Sequence, residues 1–254
     1  MGRFAMTGGA TGIGAAVKED LRRQGHEVFV VDIGEADLTA DLSTADGRRA
    51  AIDGIGAWAK DGLDGFVPCA GVGPSTSPPS LVTRINYFGT VELVQALAPL
   101  VARRRGCMVL ISSNSAPMGS DASYVDACLS GDEEKAAQIA DEIGDGQNAY
   151  AGSKLAVTRW MRRHAAGYAR DGIRMNAVAP GITKTPLTDR VMADEKLGAA
   201  IKAFGESVPT GGIGHPAQLA SVITFLLSEG ASFMCGSVVF VDGGHDAMLR
   251  PDDF

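Results

Sequence analysis

Thr7 to Gly14 reads TGGATGIG; it follows the short apolar run Phe4 to Met6 and opens a stretch with Ile13, Ala16, Val17 and Leu21 at helical spacing. Glycines at a strand-to-helix junction let the chain turn tightly and let its backbone approach a pyrophosphate, which the free amides of a helix N-terminus can hold. The spacing here, GxxxGxG over Gly8, Gly12 and Gly14, differs from the GxGxxG arrangement. Its position between strand and helix carries the reading. Gly8, Thr11, Gly12, Ile13 and Gly14 are the first candidate contacts for a dinucleotide.

Outward from this turn the alternation repeats. Val28 to Val31, Phe66 to Val67, Met108 to Ile111, Arg174 to Val178 and Val238 to Val241 are runs too short for helices, separated by longer stretches with helical spacing such as Val91, Val94, Leu97 and Leu100. Strands that alternate with helices must pair in parallel through crossovers, and apolar strands such as VFVV and VVFV suit a sheet covered on both faces. The pattern predicts a doubly wound α/β fold. Glycine, 33 of 254 residues or 13%, is about twice the usual ~7%, in keeping with many tight turns. Two segments break the rhythm. GPSTSPPS at Gly73 to Ser80 reads as a surface loop, and residues 114–149 stand where a simple connection is expected. Within the latter, Ser130 and Glu133 are spaced as a capping box ahead of Ala136, Ile139, Ala140 and Ile143, which predicts an inserted helix. The rhythm reaches the last strand with no linker-like shift in composition, so residues 1–254 read as a single domain.

Lys+Arg 23 against Asp+Glu 30 gives a net charge of −7, which argues against nucleic-acid or anionic-membrane partners. Cys69, Cys107, Cys128 and Cys235 form no CxxC and the four histidines lie far apart, so no metal site is expected. The N-terminus lacks a signal-peptide pattern, and no run approaches the ~18 consecutive apolar residues of a membrane span. A cytoplasmic protein with reduced thiols is expected.

Asp32 ends the second strand, 18 residues after Gly14, where a carboxylate can accept hydrogen bonds from ribose hydroxyls. No Lys or Arg follows closely, so a 2′-phosphate would meet repulsion, and NAD is expected over NADP. Asp41 and Leu42 follow in ADLST; Asp41 either meets the adenine amino group or caps a helix. Tyr150 and Lys154, in AYAGSK, stand four apart and so share a helix face. A phenol with pKa ~10 is a poor base at neutral pH, and lowering it by about three units requires about 4 kcal/mol, which a desolvated ammonium and a cationic cofactor ring can supply.

TGGATGIG, Asp32, CAG at Cys69 to Gly71, Asn86 in RINYFG, VLISS, YAGSK and APG at Ala179 to Gly181 occur in the order shown by the short-chain dehydrogenase/reductase family, which the whole chain resembles. The resemblance implies a seven-stranded Rossmann sheet. It implies Tyr150 as catalytic base and acid, Lys154 as the residue that holds the ribose and tunes the tyrosine, Asn86 as the proton-relay asparagine and Ser113 as the hydroxyl facing the reacting oxygen. Ser112 and Ser115 are then a buried hydroxyl and a loop residue. Ala70, Gly71, Pro180, Gly181 and Thr183 join the cofactor contacts. The family's Asn-Asn-Ala-Gly is Pro68-Cys69-Ala70-Gly71 here, so two side-chain amides are missing, and Cys69 reads as a packed small side chain.

The insertion, DGFVPCAGVGP, INYFG and the C-terminal VDGGHDAMLRPDDF are similar to the bacterial hydroxysteroid dehydrogenase/carbonyl reductase group of that family. That likeness implies NAD-dependent interconversion of a secondary alcohol and a ketone, with a 3α-hydroxysteroid or other bulky hydrophobic carbonyl as substrate. Residues 182–204, with Leu187, Val191, Met192 and Leu197, would form a substrate lid. An aryl or allylic alcohol dehydrogenase of the coniferyl alcohol type and a non-catalytic NAD(H) sensor remain as alternatives. The insertion precedes a helix that relatives use for subunit contact, which predicts a homodimer where a tetramer is common.

Overall fold

A computed structural model of the chain describes residues 1–195 and 197–253; position 196 of the expected lid and position 254 lie outside the described residues. β1 (Arg3–Thr7) feeds α1 (Gly12–Arg23), and β2 (Glu27–Asp32) returns parallel to β1. A short β3 (Leu38–Thr39) and α2 (Ala45–Trp58) complete this half. The chain then crosses to the other side of β1 as β4 (Gly65–Pro68) and continues through α3 (Pro79–Val82), a π-helical turn (Thr83–Phe88), α4 (Gly89–Ala102) and β5 (Cys107–Ile111). The sheet has seven parallel strands in the order β3-β2-β1-β4-β5, followed by β6 (Arg174–Pro180) and β7 (Val238–Val241). The expected doubly wound architecture is observed. β3 has two residues, too few to carry a period, and so left no pattern to read.

Two apolar layers cover the sheet. One joins Ala51 and Ile55 of α2 to Leu93 and Leu97 of α4 and to Val157 and Met161 of a long helix, α7 (Gly146–Arg170), met further along. The other joins Val17 and Leu21 of α1 to Leu219, Ile223 and Leu226 of α10 (Pro216–Leu227). Each buried aliphatic side chain of this kind contributes about 1.5–3 kcal/mol. The continuous run Pro79–Ala102 is long and apolar enough to span a membrane by composition, but 61% of its most apolar window is buried inside the protein, as befits a core helix.

Residues 114–149 form two helices where one was expected: α5 (Ala122–Ser130) and α6 (Glu133–Ile143). The expected Ser130–Glu133 capping box does not form. Ser130 bonds back to the Ala127 carbonyl, Gly131 takes the left-handed conformation (φ 80°) that ends α5, and the Asp132 carboxylate accepts from the Lys135 N–H to start α6. Tyr124, Val125, Cys128, Ala136 and Ala140 are buried, so the insertion is part of the core. The buried Arg48 guanidinium of α2 clamps it, bonding Glu133 through both carboxylate oxygens (2.6 and 3.2 Å) and Glu92 of α4 at 2.6 Å. After β6 come α8 (Pro186–Met192) and α9 (Gly198–Glu206), and α11 (His245–Leu249) closes the chain.

Candidate active site

The strand order reverses between β1 and β4, and in an open parallel sheet the crevice beyond the carboxyl ends of the strands at such a point is where ligands bind. Thr7 of β1 lies opposite Pro68 of β4 there, and the Thr7 hydroxyl accepts the Ala70 N–H at 3.1 Å. Gly8 (φ 72°) packs so closely that a Cβ would stand 2.5 Å from the Ala70 nitrogen, and a Cβ on Gly14 would stand 1.9 Å from the Gly8 carbonyl oxygen. These two positions therefore require glycine. Thr11 is the N-cap of α1 but makes no side-chain capping bond, and the first turn carries no acid. The helix thus presents unsatisfied N–H groups, an arrangement suited to a phosphate. Ile13 is partly buried against the α1–α10 layer.

At the end of β2 the Asp32 carboxylate accepts from the Ala10 N–H at 2.9 Å and, through its other oxygen, from the Gly34 N–H at 3.0 Å. The charge is thereby locked beside the glycine turn. Sequence position alone showed no cation near it, but the fold brings Lys18 and Arg22 of α1 into a small cleft beside Ala10, together with Glu35 and Asp37. Arg22 lies 3.9 Å from Asp37, so these acids offset the added positive charge. Asp41 is exposed and forms a local turn with the Ser43 N–H; the α2 cap is Thr44, whose hydroxyl accepts from the Gly47 N–H. Leu42 turns its side chain into the core, and its carbonyl accepts from Arg48, leaving only its N–H for a ligand.

β5 ends at the second group of residues. Ser112 is buried with its hydroxyl 2.6 Å from that of Thr158. Ser113 reaches the Tyr150 hydroxyl, and its Oγ accepts from both the N–H (3.1 Å) and the O–H (2.9 Å) of Ser115. Tyr150 and Lys154 lie one turn apart near the start of α7, which the Asp145 carboxylate caps. Burial raises the Tyr150 phenol above its ordinary value, and only the Ser113 hydrogen bond opposes this. The expected lowering by Lys154 is not found in the chain by itself. The Lys154 ammonium is turned to the Ile111 carbonyl at 2.9 Å and stands 6.0 Å from the Tyr150 ring centroid, while burial lowers its own pKa to about 8.

Asn86 sits in the π-helical turn, fully buried, with its amide on the Val72 backbone. A Cβ on Gly71 would lie 3.2 Å from Asn86 Oδ1 and 3.7 Å from Lys154 Nζ, so Gly71 joins the two groups of residues. Burial pushes the Cys69 thiol up to about 11, which leaves it protonated and a poor nucleophile.

Pro180 ends β6 with its carbonyl accepting from the Asn114 N–H, and Thr183 bonds the Gly181 carbonyl at 3.0 Å. From there the chain bends over the crevice. Thr185, the cap of α8, lies 3.2 Å from where a Gly12 Cβ would be, and Leu187 and Val191 lie 3.0 and 3.4 Å from where a Gly73 Cβ would be. The segment therefore spans from the glycine turn to the loop after β4. Sequence reasoning passed over Asn114, which is buried with its side-chain Nδ2 lacking a protein partner, and over the contact of Ser115 with Ser113. A polar triplet at a strand end was the available signal.

With this geometry in hand, the chain belongs to the short-chain dehydrogenase/reductase family. Residues 4–125 match the short chain dehydrogenase model, and residues 136–246 match a second model described as enoyl-(acyl carrier protein) reductase. It is 40% identical over 259 residues to the 3-alpha-hydroxysteroid dehydrogenase/carbonyl reductase of Comamonas testosteroni, covering 100% of both chains. It is 31% identical to a cis-4-hydroxycyclohexanecarboxylate dehydrogenase of Sinomonas cyclohexanicum, with 96% of each covered. Among solved structures, the 3-alpha-hydroxysteroid dehydrogenase of Pseudomonas sp. B-0831 complexed with NADH superposes with a TM-score of 0.96 at 43% identity, over 99% of this chain and 100% of that one.

Proposed function

We propose that the protein oxidises secondary alcohols to ketones, and reduces the ketones in return, with NAD(H) as cofactor and a bulky hydrophobic molecule such as a 3α-hydroxysteroid as substrate. The observation that carries this is the convergence of Ser113, Tyr150, Lys154 and Asn86 beside the glycine turn, in a chain 40% identical over its full length to a hydroxysteroid dehydrogenase. The residues fit the cofactor: close-packed glycines, an uncapped helix N-terminus and a fixed Asp32 suit a dinucleotide without a 2′-phosphate. Gly8, Thr11, Gly12, Ile13 and Gly14 would hold the pyrophosphate, Asp32 the ribose, Asp41 and the Leu42 N–H the adenine. Ala70, Gly71, Pro180, Gly181 and Thr183 would line the reactive end.

Held by these residues, NAD+ would supply an acceptor for the carbinol hydride and a positive charge favouring the phenolate. Tyr150 takes the hydroxyl proton, and Ser113 donates a hydrogen bond to the oxygen on which charge develops. Lys154, anchored on the Ile111 carbonyl, holds the ribose and, with Asn86, lines the route by which the proton returns to solvent. Residues 182–204 act as the substrate lid, with Leu187 and Val191 of α8 turned to the loop after β4 and offering apolar surface. Neither a coniferyl-type alcohol dehydrogenase nor a sensor is favoured, since a sensor has no use for the Ser113–Tyr150 pair.

The same reading makes the protein a cytoplasmic homodimer within one catalytic domain. The insertion supports the dimer: α5 packs on α7 with Tyr124 against Gly152, and α6 is tied to α2 and α4 through Arg48, so it covers surface that a second subunit contact would need. Light scattering at micromolar concentration tests this, with a stable tetramer as the contrary result. A panel of steroid, aromatic and aliphatic alcohols with NAD and NADP, followed by absorbance of the reduced cofactor, tests the activity. Turnover restricted to small polar alcohols or to NADP would overturn the assignment.

A further inference from the structure

The hydroxyl of Ser113 has one proton to give and two lone pairs to fill. The Ser115 N–H, whose direction is set by the backbone, takes one lone pair at 3.1 Å. The Ser115 Oγ donates to Ser113 Oγ at 2.9 Å and takes the other lone pair. With Ser115 as donor, the single Ser113 proton is left for another oxygen. Ser115 gives to Ser113, Ser113 gives to the Tyr150 oxygen, and Tyr150 is left to give or take a proton with a ligand.

We propose that Ser115 is a positioning residue that fills both lone pairs of Ser113 and so makes Ser113 a one-way donor of its single proton, to the Tyr150 oxygen in the free protein and to the substrate oxygen when a ligand is bound. The role rests on the alcohol-oxidising reading of the site, but its consequence for Tyr150 exists without turnover. A Ser113 that cannot accept gives the neutral phenol no acceptor and gives the phenolate a donor, which favours the ionised form. Each donor in the chain also polarises the next. Removing the Ser115 hydroxyl reopens a lone pair on Ser113, lets Tyr150 donate into it and stabilises the neutral phenol.

The chain has four tyrosines, Tyr87, Tyr124, Tyr150 and Tyr168, so protein labelled with 3-fluorotyrosine gives a fluorine NMR spectrum in which Tyr150 is the resonance missing from Tyr150→Phe. In Ser115→Ala the Tyr150 titration midpoint should rise by about half a pH unit, and Ser115→Thr, which restores a hydroxyl, should return it toward wild type. Alcohol oxidation measured below the midpoint should slow about threefold in kcat, with KM for the alcohol and NADH affinity unchanged. If Ser115→Ala does not fold, Ser115→Gly removes the same donor and keeps the backbone N–H. An unchanged or lowered Tyr150 midpoint in the folded variant overturns the proposal. A wild type that titrates as expected and is shifted by Ser115→Ala, yet oxidises no alcohol, would leave the hydroxyl chain standing and overturn the functional reading instead.

Discussion

Asn86 and Val72 exchange two hydrogen bonds: Asn86 Oδ1 accepts the Val72 N–H at 2.9 Å, and Asn86 Nδ2 donates to the Val72 carbonyl at 3.0 Å. A buried side chain thus does for the loop after β4 what a neighbouring strand would do, and it holds Gly71 beside Lys154. The π-helical turn makes this reach available, because the wider turn places Asn86 where a regular helix would continue its ladder.

Asn86→Ala should therefore cost both stability and turnover. Losing two bonds and leaving the Val72 amide groups without partners costs about 2–4 kcal/mol, so calorimetry should show a melting temperature lower by roughly 4–8 °C. An unchanged melting temperature would mean that water replaces the side chain at no cost.

Asp32→Asn keeps the size of the side chain and an acceptor while removing the charge that would repel a 2′-phosphate. The ratio of kcat/KM for NAD to that for NADP should fall by about tenfold or more, roughly the worth of one charge-assisted contact. Equal efficiency of the wild type with both cofactors would contradict the role given to Asp32.

Tyr150→Phe removes the phenolic oxygen that Ser113 contacts and little else. Turnover should drop by at least about a hundredfold, as loss of general acid–base catalysis does, while NADH binding followed by fluorescence stays within a fewfold of wild type. Near wild-type turnover would remove Tyr150 from the mechanism.

Lys154 is buried, and its pKa is lowered to about 8 from an ordinary 10.5. Between those values the unfolded chain binds a proton that the folded chain does not, so stability rises with pH across about 8 to 10.5. Below 8 the folded state carries the full cost of a buried ammonium, at most about 3 kcal/mol. Lys154→Met should consequently melt above wild type at pH 7 by a few degrees, lose activity, and show a stability advantage that shrinks toward pH 10. An advantage independent of pH would assign the gain to packing.

Arg48→Met breaks the clamp that joins α2, α4 and the insertion. Glu133 keeps Arg84 at 2.9 Å and the Glu92 side chain is partly exposed, so the loss should be about 2–3 kcal/mol, at the low end for a buried ion pair. Hydrogen exchange should rise in α6 ahead of the sheet. Uniform exchange throughout the molecule would show that the insertion has no independent opening.

What could be known from the residues alone was periodic or local. Alternating short apolar runs and helical stretches specify parallel strands with crossovers whatever the loops do, and glycines at a strand-to-helix turn specify a close backbone approach. Tyr150 and Lys154 share a helix face by spacing alone. A second kind of information depends on chain segments far apart in sequence. The two-residue β3 exists because β2 offers it an edge, Lys18 and Arg22 meet Glu35 and Asp37 in one cleft because α1 packs beside β2, and Arg48 finds Glu92 and Glu133 across 44 and 85 residues. Burial is decided in the same way. It raises the Tyr150 phenol and turns the Lys154 ammonium to the Ile111 carbonyl, because desolvation and carbonyl access are properties of the packed interior, and no spacing along the chain encodes them.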